Sequence, residues 1–465
     1  MALMVESGTD GNETVQTDFL GTTFYRWSAV VAFTLVYMVS YVDRQVLTIV
    51  VDPVRASLGL GDMQIGFLQG FIFTTVMIVA AVPMSYLIDR YNRIYVLIGC
   101  IVAWSLATIY CGFASSFVEL ALGRIGLAIA EAVVPMAAMS VIGDLFPRHK
   151  VNQAASVFMN GTYFGNGAAL LLGGWFIALA TPFEGRVLPV LGAFEVWRGL
   201  FIAVGLLSIA MALGLLLFLR EPPRRELRPA AATEPAAESF WAFFWSNRRL
   251  LLSYCLFAGT GALNGYCLYS WTATLLIRVH GMSPLSVGLA IGPMFILTSI
   301  PATALAAWLS SFAKPENALQ HVVKMMTGFM ALLVPMVFLM TLGSTSMALV
   351  MVALTMLVYA AFHATILTPV QLFAPNRMRG RVAAVTSMIY VIPAGLGPVT
   401  VGFLTDYVFE DPQKLGVAMA ITMGGAAMIG VLAGLNALRQ ARSFEEGPIS
   451  QGAQARAGPE PETAR

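Results

Sequence analysis

The chain has 465 residues, 58% hydrophobic and 11% charged, with a mean hydropathy of +0.77; a water-soluble domain carries about 25% charged residues, so lipid must be the solvent for most of this surface. At about 20 apolar residues per membrane-crossing helix, the length accommodates roughly twelve crossings. Basic residues number 27 and acidic residues 25, a net charge of +2, which is too balanced for nucleic-acid binding or for a polybasic membrane-surface protein.

Residues 1–26 form a polar N-terminal tail whose acids Glu6, Asp10, Glu13 and Asp18 precede its first basic residue, Arg26. That order is opposite to a cleavable signal peptide, so the first span is expected to act as its own insertion signal. Apolar runs then follow at 27–51, 63–87, 94–114, 117–145, 151–180, 197–219, 250–278, 284–311, 319–342, 345–373, 381–409 and 414–438. Each can cross about 30 Å of hydrocarbon at a rise of about 1.5 Å per residue. The expected fold is an all-α polytopic membrane protein with two six-helix bundles, 27–219 and 250–438. Residues 220–249, with Pro222, Pro223, Pro229 and Pro235, read as a flexible linker, and 439–465 as a disordered tail. Cys100, Cys111, Cys255 and Cys267 all fall inside apolar runs and read as packing residues, not a disulfide framework.

Alternate loops differ in charge, one side collecting 18 basic residues and the other 5. By the positive-inside rule both termini are expected in the cytoplasm, with the protein in the cell membrane. The two bundles also read as copies. Residues 59–73 align without gaps on 281–295, matching Gly59, Gly66, Gly70 and Phe73 with Gly281, Gly288, Gly292 and Phe295. Gly165 and Gly173 of span 5 match Gly395 and Gly402 of span 11. A parallel repeat of six plus six spans is a transporter architecture with its substrate site between the halves near the midplane.

Ionisable residues inside spans are costly enough to be functional candidates. Span 1 carries Asp43 and Arg44, and span 4 carries Arg124 and Glu131. Helix rise sets Asp43 and Arg124 each roughly 10–12 Å below the same membrane face. Glu131, two turns further along the face of Arg124, comes near the midplane. An acid there needs a partner or a proton. Asp43, Arg124 and Glu131 are therefore the expected proton-coupling set, Arg124 reaching either carboxylate, while Arg44 or Arg124 holds an anionic headgroup. The alternative is that Arg44 snorkels to the headgroups with Asp43 neutralising a charge. Spans 7 to 12 offer no charge at mid-depth but Asn264, Tyr266, Tyr269, Thr272, His363 and Tyr390. With Asn160 and Tyr163 of span 5, these could line a cavity or simply bond helix to helix. A charged wall facing an aromatic one suits an amphipathic substrate.

The segment from Ser85 through Asp89, Arg90, Asn92 and Arg93 joins spans 2 and 3. It resembles the loop signature of the major facilitator superfamily, with Ser85 and Asn92 where that family favours glycine. The resemblance implies a gating role for Asp89, Arg90 and Arg93 against Arg381 at the start of span 11. Trp197-Arg198 opening span 6 is also similar to a recurrent family feature. Asp43-Arg44, Arg124, Glu131 and the GDLFP of 143–147 resemble the Spinster branch of that superfamily. This implies proton-coupled export of sphingolipids or lysophospholipids. Organic-anion and proton symporters share the span 1 and span 4 features and are the alternative, as is a transport-dead sensor of the same fold. The resemblance implies no cofactor beyond the proton and no metal; the expected partners are a small amphipathic substrate and membrane lipids, with no nucleic acid, for a monomer. Enzyme chemistry is not expected: His149, His280, His321 and His363 are scattered, and no GxSxG, HExxH or GxxxxGK[ST] occurs.

Overall fold

The computed structural model describes residues 22–188, 192–224, 240–375 and 378–445. The acidic start of the N-terminal tail, the linker stretch 225–239, Arg377 and the tail from 446 lie outside the described residues. Among the described residues, twelve helices are long and apolar enough to cross a membrane: Thr23–Ile49, Asp62–Arg90, Arg93–Phe113, Phe117–Leu145, Arg148–Phe183, Val196–Phe218, Arg248–Arg278, Pro284–Ser310, Pro315–Leu342, Thr345–Phe373, Arg379–Val408 and Pro412–Glu445. These are spans 1 to 12. The strands described are a two-residue antiparallel pair, Val187–Leu188 with Gly192–Ala193. All four cysteines are free thiols.

The span ends follow from local chemistry. Ser116, Ser283 and Ser344 cap spans 4, 8 and 10 through backbone N–H groups of Glu119, Ser286 and Met347. Asn92 caps span 3, its side chain accepting from Tyr95 N–H with a φ of −63°. The position that the family signature gives to glycine thus needs no glycine here. Span 4 is interrupted at Ala132, between Phe117–Glu131 and Val133–Leu145. Pro135 has no N–H to give the Glu131 carbonyl, so the helix yields where the buried acid sits. Two glycines paired by the repeat share one backbone state: Gly59 and Gly281 have φ of +65° and +66°. This left-handed conformation lets the chain turn before spans 2 and 8 at little cost only without a Cβ.

The chain forms two compact units, one comprising residues to Val46 with Val76–Ala232, the other Leu47–Thr75 with Thr233–Arg465. Their borders run through spans 1 and 2, so the segment 47–75 of the first sequence half packs with the second half. In unit 1, span 5 closes on span 1 because Gly161 and Gly165 lack side chains; a Cβ there would lie 2.7 Å from the Thr34 carbonyl and 2.5 Å from that of Met38. In unit 2, a Cβ on Gly397 would lie 2.7 Å from Cys267 Sγ, so spans 7 and 11 run in close contact. The linker is not featureless at its ends. Residues 220–224 are tied to unit 1, and Phe240–Ser246 is a short helix leading into span 7.

Candidate functional site

The four ionisable residues singled out in spans 1 and 4 meet inside unit 1. Asp43 is fully buried and accepts from Thr108 Oγ1 at 2.7 Å and Ser208 Oγ at 2.6 Å, hydroxyls of spans 3 and 6. Arg124, 1% exposed, donates through Nη1 to the Asp43 carbonyl at 3.3 Å and through Nη2 to the Arg44 carbonyl at 3.1 Å. Each of those carbonyls has a second lone pair beyond the helical bond, which is what a neighbouring guanidinium can use. Glu131, also 1% exposed, makes its ion pair with Arg44, Oε2 to Nη2 at 3.0 Å. Arg44 is held further by the Tyr41 ring, 4.4 Å from the guanidinium carbon, and by Met77 Sδ at 3.8 Å.

This arrangement differs from the sequence expectation in one respect. Helix rise favoured Arg124 as the cation that reaches either carboxylate, whereas here Arg124 donates to span 1 backbone and Arg44 pairs with Glu131. Arg44 does not snorkel. Its side chain is 11% exposed against 1% for Glu131, so it is the member of the pair with an open side. Glu131 Oε1 is enclosed without a hydrogen-bond partner among the described residues. A buried acceptor in that condition is unfavourable until a donor or a proton arrives.

The uncharged residues lie elsewhere. Asn160 stands at the break between Arg148–Met159 and Gly161–Ala180 of span 5, its Nδ2 donating to the Ser156 carbonyl at 2.8 Å. Tyr163 follows, half-buried. In unit 2 an aromatic chain links Phe295, Tyr269, Tyr359 and His363 with ring centroids 5.3, 5.6 and 5.9 Å apart. Gly265 makes room for it, since a Cβ there would overlap the Tyr359 ring. Asn264 is buried, its Nδ2 bonded to the Thr260 carbonyl at 3.0 Å and its Oδ1 without a partner among the described residues. Thr272 Oγ1 is buried in the same condition. Tyr266 and Tyr390 are half-buried, and His363 is exposed.

Of the expected gating residues, Asp89 and Arg90 are exposed, Arg90 donating to Tyr86 Oη at 2.6 Å, and Arg381 is exposed on span 11. Arg93 is buried. It binds Asp144 Oδ2 and Glu221 Oε1, each at 2.5 Å, Ser140 Oγ at 2.9 Å and the Pro222 carbonyl at 3.2 Å. Arg224 donates to the carbonyls of Ile88, Asp89 and Tyr91, capping the end of span 2. The start of the linker is therefore strapped across the ends of spans 2 to 4. Sequence reasoning missed Thr108, Ser208, Tyr41, Glu221 and Arg224. Glu221 could have been found as the acid beside the prolines that end span 6, whereas nothing separates Thr108 or Ser208 from other hydroxyls in apolar helices.

A buried acid–base cluster inside a twelve-span, internally repeated helical protein defines a membrane carrier. Residues 33–398 match the Major Facilitator Superfamily, and the chain belongs to that family. It is 26% identical to an MFS-type efflux pump of Mycolicibacterium smegmatis over 87% of this chain and 91% of that protein. It is 29% identical to Protein spinster homolog 1 of Homo sapiens over 54% of this chain and 46% of that protein. A bacterial homolog of the human lysosomal transporter Spinster, crystallised in an inward-facing and unoccupied conformation, superposes with a TM-score of 0.71 at 25% identity. The match covers 91% of this chain and 98% of that one. The chain is a transporter of that superfamily, not an enzyme, and a multi-pass membrane protein, with Spinster proteins among those it is similar to.

Proposed function

We propose that the protein is a proton-coupled carrier in the cell membrane, with both termini cytoplasmic, moving a lipid-like substrate with an anionic headgroup by alternating access. The observation that carries this reading is the buried Arg44–Glu131 pair at 3.0 Å, in which Arg44 has the open side and Glu131 Oε1 has no partner among the described residues. An anionic headgroup approaching the open side of Arg44 competes with Glu131 for one guanidinium. Bidentate binding of a phosphate or carboxylate is the geometry in which a guanidinium gains most. When the headgroup takes Arg44, Glu131 loses its compensating charge in a water-poor place and takes up a proton. When the headgroup leaves, Arg44 returns and the proton departs. Arg124, anchored on the carbonyls of Asp43 and Arg44, fixes the helix turn that carries Arg44 and does not itself change partners.

The test is uptake of a labelled lysophospholipid into proteoliposomes with and without an imposed pH gradient. Glu131→Gln, which mimics the protonated acid, is expected to keep substrate exchange and to lose gradient-driven accumulation. If that variant still concentrates substrate when driven by pH alone, Glu131 is not the coupling site. If a short organic anion without a tail is carried and the lysophospholipid is not, the lipid reading fails in favour of an organic-anion symporter.

A further inference from the structure

Span 7 is preceded by a short helix dense in rings. Phe240–Ser246 reads FWAFFWS, five aromatic residues in seven and no charge. Phe243 is buried. The other four rings link into a chain, Phe240 to Trp241 at 5.2 Å, Trp241 to Phe244 at 6.2 Å and Phe244 to Trp245 at 6.2 Å between centroids. Trp241 and Trp245 are 61% and 59% exposed, and neither indole N–H has a partner among the described residues. Seven residues are too few for a helix to be stable alone in water. An indole pairs an apolar body with one donor, the combination that collects where hydrocarbon meets headgroups.

The exposed face runs on into span 7. Asn247 interrupts the helix, yet its N–H bonds the Phe243 carbonyl at 3.1 Å and Leu251 N–H bonds the Asn247 carbonyl at 3.0 Å, so the helical register is carried through. Positions 241, 245, 249, 252 and 256 follow at intervals of four, four, three and four, the spacing of one helix face, and all five residues are exposed. Leu252 and Leu256 belong to a membrane-crossing helix, so this face meets lipid. Arg249 stands one turn before Leu252, about 4.5 Å along the axis, where hydrocarbon gives way to headgroups.

The cations here are unmatched. Arg93 and Arg198, at the starts of spans 3 and 6, are paired with Asp144 and Glu221 and with Glu195. Arg248 and Arg249 are exposed and have no acidic partner among the described residues. Arg248 Nη1 donates to the Trp245 carbonyl at 3.0 Å, which keeps its guanidinium beside the aromatic helix. Two cations at the positive end of the span 7 dipole are unfavourable by themselves, and a neighbouring anion offsets both.

We propose that Phe240–Ser246 with Arg248 and Arg249 is a docking surface for anionic phospholipid of the adjoining leaflet, Trp241 and Trp245 lying among the headgroups and the two guanidiniums taking their phosphates. Zwitterionic lipid is the poorer ligand because its own ammonium competes for the phosphate. The test uses the full chain with the four native cysteines replaced and a fluorophore on Ser246→Cys, an exposed position. Nanodiscs hold phosphatidylglycerol and phosphatidylcholine, one of them brominated at a time. Brominated phosphatidylglycerol is expected to quench the label more than brominated phosphatidylcholine at equal mole fraction. Arg248→Gln with Arg249→Gln should lower that preference by up to about fivefold per arginine, the scale of one cation at an anionic surface. Salt at about 1 M, where the screening length falls to about 3 Å, should lower it in the protein that keeps both arginines. Trp241→Ala with Trp245→Ala should weaken quenching by both lipids. Equal quenching by the two lipids, or a preference undiminished by salt or by the arginine substitutions, overturns the proposal. So does quenching by aqueous iodide alone, which would leave the surface to a soluble partner, and so does shielding from all three quenchers with labels of two chains close together, which would give it to a second copy. Should the arginine variant not accumulate, the salt series still decides.

Discussion

In unit 1, Asp43, Arg44, Arg124 and Glu131 lie within hydrogen-bond reach of one another or of one another's backbone, and three of the four are 1% exposed or less. The interior of unit 2 has the same helical build and, among the described residues, no ion pair at comparable burial except at its rim, where Asp62 meets Arg55 and Arg278. Its inner polar groups are uncharged, Asn264, Thr272 and Thr355 among them. Unit 1 thus carries a charge cluster in its interior as well as the Arg93 cluster at the span ends, whereas the buried ion pairs of unit 2 among the described residues lie at its rim.

The largest effect that should separate the two interiors is on stability. Arg124→Met removes a buried cation from two carbonyls and two nearby acids and is expected to cost about 3–5 kcal/mol, the scale of breaking one partner out of a buried charge cluster. Asn264→Leu in unit 2 removes an amide whose Nδ2 bonds its own helix and whose Oδ1 has no partner among the described residues. It is expected to change stability by less than about 1 kcal/mol, in the stabilising direction. Thermal and denaturant unfolding of both variants in lipid nanodiscs checks this. Equal losses would mean that the interior of unit 2 is as dependent on its polar groups as that of unit 1.

A smaller effect sharpens the same contrast. Ser208→Ala and Thr108→Val each take one hydroxyl from Asp43, and each is expected to cost about 1.5–3 kcal/mol, the worth of a hydrogen bond to a charged group. Because both act on one carboxylate, the double variant should not equal the sum of the singles. Strict additivity, with each loss below about 0.5 kcal/mol, would show that the two hydroxyls do not support Asp43.

The spans, the repeat and the identity of the four buried charges were legible in the sequence because each rests on a property carried by residue type alone. Apolar run length sets a span. A glycine at a turn sets a backbone state, which is why Gly59 and Gly281, aligned by sequence, share a φ near +65°. Which cation meets which acid was not legible. Arg44 and Arg124 differ little in depth, and the choice depends on Tyr41 and Met77 flanking one and span 1 carbonyls receiving the other. The hydroxyls of Thr108 and Ser208 were hidden for a different reason: a Thr or Ser in an apolar helix ordinarily bonds its own preceding turn, as Thr34 and Thr74 do here. Asp52, Asp62, Arg278 and Asp406 stand at span ends, where charge reads as topology, and their mutual contacts join segments more than 200 residues apart in the chain.

The smallest effect tests whether unit 2 titrates only at its edge. His280 lies between spans 7 and 8, its Nδ1 3.2 Å from Thr345 Oγ1 and its Nε2 enclosed without a partner among the described residues. Burial holds its pKa below the ordinary histidine value. The unfolded chain, with an unperturbed value of about 6.5, then binds more protons in that range than the folded one, so stability rises with pH. The contribution is fully present above the unfolded value and is lost as pH falls through the lower folded one. The midpoint of thermal unfolding should therefore drop between pH 7.5 and 5.5, and His280→Gln should remove that component while leaving the midpoint at the higher pH nearly unchanged. The imidazolium is disfavoured because its second N–H would point into an enclosed space with no acceptor, whereas the amide of glutamine carries no charge at either pH. If the drop survives the substitution in full, the proton is taken up elsewhere. Repeating the scan on Glu131→Gln then decides whether the buried pair of unit 1 is its source.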